Sequence, residues 1–467
     1  MPPVLALILY VGFIGWLFIR SHKLNPEISP ALWIPLVWTV ILASRPFSLW
    51  FGMGGQLDAS VDYSEGSPMD RLAFLSLIVA GIVVLARRQA GLSDFIASNK
   101  WLCAFYLFWA ASLMWSPASF VSLKRLIKDL GNVLMVLIIL TDRHPIAAVR
   151  ALFDRITYLL IPLSVLFIKY YPDVGRVYNH WTWQPTVTGV TTDKNALGEL
   201  VLICGLFFLW KMSDDDIWES KWRDRKELLA NGILVVMMFW LMKNANSATS
   251  LVCLMLGFGL FAGSRLPAVA RKFRHLEFYT VVGVIFILFF NLIFPVAREM
   301  VEGLGRNMTF TDRTDIWHLA LGSGTNPLLG TGFYSYWETP ASLKVTDVFE
   351  GINQAHDGFV ETYLNGGMVA EVLLIMMLLQ AYLRLKRQFL AGSHFSFGLF
   401  VLLLASLIHN VTEASFNRMD IIWFVSLLAV ANVPRIISDE LQAAEDKADG
   451  NDRENYASSF DSENVAV

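Results

Sequence analysis

The feature that most constrains this chain is the recurrence of apolar stretches about as long as a bilayer is thick. An α-helix rises about 1.5 Å per residue, so a hydrocarbon core of about 30 Å takes about 20 apolar residues to cross. Runs of that order fall near 4–19, 31–50, 71–86, 101–116, 126–141, 151–168, 195–210, 227–243, 248–264, 277–297, 358–383, 396–412 and 419–434. These thirteen candidates become twelve if a weaker run is re-entrant or merges with a neighbour. The runs are too long and too uniformly apolar for membrane β-strands, which alternate over about 10 residues, so no strand is expected. Charged residues make up 16% and hydrophobic ones 55%, where soluble domains carry about 25% and about 45–50%. The expected fold is therefore all-α: a polytopic integral membrane protein of about 12–13 transmembrane helices with one long extracytoplasmic loop.

Positive charge in short loops gives the orientation. Arg87/Arg88, Lys211 with Lys221, Arg223, Arg225 and Lys226, then Arg265/Arg271/Lys272/Arg274 and Arg384/Lys386/Arg387 belong on the cytoplasmic side. Loops 51–70, 117–125, 169–194, 244–247, 298–357 and 413–418 then face outward, and the two longest can meet. The N-terminus opens directly on an apolar run, with no basic leader region or small-residue cleavage site before Arg20, and reads as a retained first span. Residues 1–437 read as one membrane domain, and 438–467 as a disordered, acidic cytoplasmic tail. A formal net charge of −3 and the lack of any basic tract give no sign of nucleic-acid binding. Cys103, Cys204 and Cys253 lie inside apolar runs without metal-ligand spacing, and no metal cluster, nucleotide loop or other cofactor motif is visible.

Chemistry concentrates in polar loops held by rigid scaffolds. The segment from Thr311 to Trp337, TDRTDIWHLALGSGTNPLLGTGFYSYW, reads as a short helix capped by Thr311 or Asp312 and ended by Gly322 and Gly324. A turn through Asn326-Pro327 and Gly330/Gly332 follows. Arg313 and Trp317, four apart, share a face of that helix. His356 stands just ahead of the next apolar helix. A cation, an imidazole and tight turns beside a membrane suit an anionic, lipid-borne substrate, while an ordinary covering loop is the plainer alternative. Loop 169–194 places Arg176 and Lys194 at the ends of an aromatic segment holding Tyr170, Tyr171, Tyr178, Trp181 and Trp183. Such aromatics suit sugar rings and equally the membrane–water interface. Lys124, Arg125 and Lys128 form an outward basic cluster that calls either for an anionic ligand or for a different topology of the first spans. His409 and Glu413 share a helix face at a span end, as a functional pair or as a packing pair.

Together these motifs resemble the O-antigen ligase and polymerase superfamily, with its exopolysaccharide-polymerase branch nearest. The matching pieces, in order, are Gly189-Val190-Thr191-Thr192-Asp193-Lys194-Asn195-Ala196-Leu197-Gly198, Arg313-x-x-x-Trp317, Pro327-x-x-Gly330-x-Gly332, His356 with Gly367 eleven residues on, and His409-Asn410. The chain departs from the family pattern at Asp357, where Asn, Ser or Gln is usual, and at Ala370, where a second glycine is usual. It also lacks the arginine of a Ser-Arg pair near Ser247–Ser250.

The resemblance implies a metal-independent, inverting glycosyltransferase of the helical, glycosyltransferase-C-like membrane class, with no cofactor. Its site would face the periplasm from the bacterial inner membrane. The implied partners are an undecaprenyl-pyrophosphate-linked oligosaccharide, a growing polysaccharide, the lipid bilayer and other polysaccharide export components. His356 would be the base and Arg313 the pyrophosphate cation. Arg176, Lys194, Lys124, Arg125, Trp317 and His409 would bind substrate. A ligase acting on lipid A core or protein is the alternative within the class, and a transporter or lipid flippase is the alternative outside it.

Overall fold

A computed structural model describes residues 1–24, 27–52, 67–88, 91–178, 185–213, 225–275, 311–349, 352–434 and 436. The apolar runs form helices α1 (Pro3–Leu24), α2 (Trp33–Leu42), α3 (Pro68–Arg88), α4 (Lys100–Ser112), α5 (Ser119–Leu140) and α6 (Pro145–Tyr170). After these come α7 (Lys194–Ser213), α8 (Arg225–Ala245), α9 (Ala248–Ser264), α10 (Thr311–Leu321), α11 (Gly358–Leu390), α12 (His394–His409) and α13 (Ile421–Val430). Helix α7 packs between α8 and α9, α9 against α12, and α11 against both α4 and α12. Helices α6 and α7 are apolar nearly all round and form the middle of the bundle, whereas α1 and α3 turn residues such as Ile8, Ile19, Leu72 and Leu75 outward, as lipid-facing helices do.

Among the described residues six helices are long and apolar enough to cross a membrane, and a seventh joins them if α9 and Pro267–His275 are one span bent by 105°. The protein is an all-α, multi-pass membrane protein. Of the twelve or thirteen expected spans, others among the described residues fall outside this length-and-apolarity count for two physical reasons. Helix α5 carries Lys124, Arg125, Lys128 and Asp129 inside its apolar length, and α2, α4, α12 and α13 are shorter than a straight span. The run 277–297, the tail 438–467, Trp181 and Trp183 lie outside the described residues.

The charge in α5 is met inside the bundle. Asp129 accepts hydrogen bonds from Tyr106 Oη (3.0 Å), Asn132 Nδ2 (3.1 Å) and Trp423 Nε1 (2.7 Å), while Asn132 accepts from Trp38 Nε1 (2.8 Å). Four helices are thereby tied through one satisfied polar cluster, the condition under which a buried charge is tolerable.

At one end of the bundle the basic residues expected on the cytoplasmic side collect: Arg88 pairs with Asp142 (2.8 Å), Lys211 with Asp154 (2.9 Å), Arg265 donates to Ser213 O (2.8 Å) and Lys386 to Arg274 O (3.0 Å). Loop 169–194 is tied down elsewhere, by Arg45. Among the described residues the one departure from an all-helical expectation is a short antiparallel pair, β1 (Arg176–Tyr178) with β2 (Pro185–Val187), in the register Val177↔Thr186. Buried Arg45 anchors this loop by donating to the carbonyls of Val190 (3.0 Å), Gly189 (2.8 Å), Thr191 (3.2 Å) and Val174 (3.2 Å).

Helix α11 is interrupted at Gly367, whose φ of 62° lies in the left-handed region that favours glycine. The turn after α10 enters this break. Met368 N–H donates to Pro327 O (2.9 Å) and Val369 N–H to Leu328 O (3.2 Å). The helix carbonyls of Leu364 and Asn365 accept instead from Thr331 N–H (3.2 Å) and Gly332 N–H (2.8 Å). Two helical bonds are exchanged for four between loop and helix, so each of these four helix backbone groups keeps a partner. A Cβ on Gly330 would lie 2.3 Å from the Asn365 carbonyl carbon, and one on Gly367 would lie 2.3 Å from that of Leu328. The Pro327-x-x-Gly330-x-Gly332 pattern is thus explained by backbone against backbone.

Candidate functional site

Three side chains from distant stretches gather around one carboxylate, Glu413. Helix α12 ends at His409, and the chain turns sharply: Glu413 N–H donates to His409 O (2.9 Å), and Asn410 Oδ1 accepts from Ser415 N–H (2.9 Å) and Phe416 N–H (3.0 Å). The Asn410 carbonyl accepts from Gly358 N–H (2.7 Å), which seats the start of α11 beside this turn. Glu413 is buried there.

His356 arrives from the opposite side. Its neighbours are fixed: Trp317 Nε1 donates to Ala355 O (2.8 Å), Ala355 N–H donates to Glu361 Oε2 (2.8 Å), and Asp357 caps α11 by accepting from Phe359 N–H and Val360 N–H (2.8 and 2.9 Å). Between them His356 adopts φ 53°, a left-handed conformation that a non-glycine residue holds only when its surroundings demand it. Its Nδ1 lies 3.3 Å from Glu413 Oε2.

Arg313 on α10 donates from Nη2 to Glu413 Oε1 (3.0 Å) and from Nη1 to the Thr412 carbonyl. Asn195, on the first turn of α7, donates from Nδ2 to Glu413 Oε1 (3.2 Å). Burial works to raise the Glu413 carboxyl, but the hydrogen bond from His356 and the charges of Arg313, His356 and His409 outweigh it and hold the group below the ordinary carboxylate range. Burial drives Asp357 the other way, above its usual value, against the pull of its two backbone hydrogen bonds.

The sequence candidates divide accordingly. Arg313 and His356 are brought together, and Trp317 fixes the turn that carries His356. Lys194 is exposed at the head of α7, next to Asn195. Arg125 and Lys124 belong to a second group: Arg125 donates to Tyr334 O, pairs with Glu338 (2.9 Å) and lies 4.9 Å from the Tyr334 ring centre, and Lys124 lies over Phe120 at 5.3 Å. Arg418 stands on the same tyrosine ring at 5.2 Å, donates to its hydroxyl, and reaches Gln354 two residues before His356. Arg176 donates from Nε and Nη2 to Ile168 O (3.2 and 3.0 Å), a contact that closes its own loop. His409 is buried, with Nε2 3.6 Å from Glu199 Oε1 rather than beside His356.

The shared role of Glu413 was not visible from its pairing with His409; Asn195 stood only inside the Gly189–Gly198 motif, with no role of its own, and Tyr334 and Arg418 were not among the site candidates. The available clue was a carboxylate in a very short outward loop between two apolar helices, where a charge needs a partner.

Residues 233–375 match the family described as O-Antigen ligase. The chain is also similar to the "Exopolysaccharide production protein ExoQ" of Rhizobium meliloti (strain 1021), at 24% identity over 334 residues, covering 68% of this chain and 71% of that protein. The resemblance to the O-antigen ligase and polymerase superfamily stands. The matched region contains Arg313, Trp317, the Pro327–Gly332 turn, His356 and Gly367, while Asn195 and Glu413 join the cluster from outside it. With the helical bundle, these matches support a membrane enzyme of exopolysaccharide or O-antigen processing.

Proposed function

We propose that this protein is a metal-independent, inverting glycosyltransferase of the bacterial inner membrane. On the periplasmic face it would polymerise undecaprenyl-pyrophosphate-linked oligosaccharide repeats into exopolysaccharide. The observation that carries the reading is the convergence of Arg313, His356 and Asn195 on buried Glu413. With Glu413 ionised, its oxygen accepts Nδ1–H of His356, which leaves the Nε2 lone pair to receive a proton.

The acceptor hydroxyl attacks the anomeric carbon from the face opposite the pyrophosphate. The new C–O bond forms as the bond to the phosphate oxygen breaks, the electron pair leaves with the pyrophosphate, and His356 takes the hydroxyl proton. Charge develops on the leaving group, where Arg313 supplies a planar, bidentate donor and Lys194 a second cation. Arg313 and His356 stand near the two ends of the described part of the long loop, so the same segment that carries the chemistry limits the entry of water.

Deletion of the gene, followed by sizing of the lipid-linked and released glycans, tests the reading. Loss of long chains with accumulation of single lipid-linked repeats is expected. Full-length glycan that fails to reach its acceptor would identify a ligase instead, and unchanged polysaccharide would remove the proposal.

A further inference from the structure

Both terminal nitrogens of Arg313 are already in use, Nη2 on Glu413 and Nη1 on the Thr412 carbonyl. The guanidinium side chain is 24% exposed and the carboxylate behind it 10%. A ligand arriving from outside therefore meets a cation whose charge is already answered from within. Glu413 has two further donors, Asn195 and His356, so it keeps partners if Arg313 turns away.

We infer that Glu413 is an internal counter-anion that holds Arg313 in the free protein and yields it to the pyrophosphate of the lipid-linked donor. This inference rests on the proposed function. The physical argument is one of competition. Pyrophosphate carries at least two negative charges against the single charge of Glu413, and guanidinium binds phosphate bidentately. A carboxylate within reach of the bound phosphate opposes binding by like-charge repulsion, which a partly buried site screens poorly. After the exchange Glu413 retains His356 and balances the imidazolium that forms when the acceptor proton is taken. Donor binding and the readiness of the base are thereby linked through one side chain: the free site is held neutral, and the charge is released where the leaving group arrives.

The test is binding of inorganic pyrophosphate to the purified full-length protein in detergent, with donor-dependent transfer measured in parallel. Glu413→Gln keeps the shape and removes the charge, so it should bind pyrophosphate about five- to tenfold more tightly, the ordinary scale of coupling between two ligands. The same variant should lose kcat with no rise in KM for the lipid-linked donor. A merely structural glutamate gives the opposite result, since damage to its fold weakens ligand binding. Glu413→Asp, which draws the carboxylate back by one methylene, should tighten binding by a smaller factor, and it serves if the amide variant folds poorly. Unchanged or weaker pyrophosphate binding in both variants overturns the exchange. If the unaltered protein binds pyrophosphate no better than its Arg313→Ala variant, the pyrophosphate reading of the site itself falls, and the exchange with it.

Discussion

Two regions carry the motifs by which this chain resembles the O-antigen ligase and polymerase superfamily, and they are built on different principles. The turn from Asn326 to Gly332 is joined to α11 by four backbone hydrogen bonds, and its glycines are required because Cβ atoms would enter the opposing main chain. The cluster of Arg313, His356 and Asn195 is joined by side chains to one carboxylate, with a partly exposed cation and a histidine in a left-handed conformation. The first region can be satisfied completely with no ligand. The second holds charge and strain that a scaffold alone does not need. A short motif therefore does not announce its reason: the glycines position the loop, and the charged residues use the position.

The comparison is tested most severely at His356 and Arg313. His356→Ala and His356→Gln should each lower transfer by about 10²–10⁴, the ordinary contribution of one general base, with the protein still folded in the membrane. The glutamine keeps a hydrogen bond but cannot accept the proton, so the two variants should be equally inactive. Arg313→Lys should fall nearly as far as Arg313→Ala, by about 10²–10³, because an ammonium does not reproduce the planar fork. The measurement is the initial rate per folded molecule. A glutamine variant that still elongates glycan would make His356 a positioning residue.

The glycines should respond in the opposite way. Gly330→Ala and Gly367→Ala each place a methyl group 2.3 Å from a backbone carbon at a positive φ, of 61° and 62°. The loop–helix seam should open at a cost above about 3 kcal/mol, in the upper range for single substitutions. Yield and thermal stability in detergent should collapse, while molecules that remain folded keep more activity than the His356 variants. An alanine variant of normal stability and no activity would place this turn in the chemistry and erase the contrast.

What the sequence showed of this arrangement follows from the range of the forces involved. The short helix at Thr311–Leu321 and the start of α11 at Gly358 are set by local signals, and they stand where expected. The run 126–141 reads as a span, but the sequence does not show how the charge of Asp129 is met inside it, because the donors Tyr106 and Trp423 lie on two other helices. The Glu413 hub was out of reach for the same reason, since Asn195, Arg313 and His356 lie 218, 100 and 57 residues away. Arg176 shows the reverse limit. Its aromatic surroundings suggest sugar binding, but a turn at Gly175 brings its guanidinium back onto Ile168.

Between the two kinds of region lies Arg125, a side chain bonded to backbone, and it gives the smallest expected effects. Its guanidinium is 7% exposed and holds the Tyr334 carbonyl and ring, whereas its carboxylate partner Glu338 is 45% exposed. Glu338→Gln should therefore change stability by at most about 1 kcal/mol, because solvent screens the pair. Arg125→Gln removes a charged donor from the part-buried Tyr334 carbonyl and should cost about 1.5–3 kcal/mol. As a strut, Arg125 should show that loss in thermal unfolding while kcat and donor KM change less than the stability does. If Arg125→Gln instead unfolds like the unaltered protein but raises the KM for the lipid-linked substrate tenfold or more, the outward basic cluster of Lys124 and Arg125 belongs to the binding surface, and the boundary between scaffold and site moves to include it.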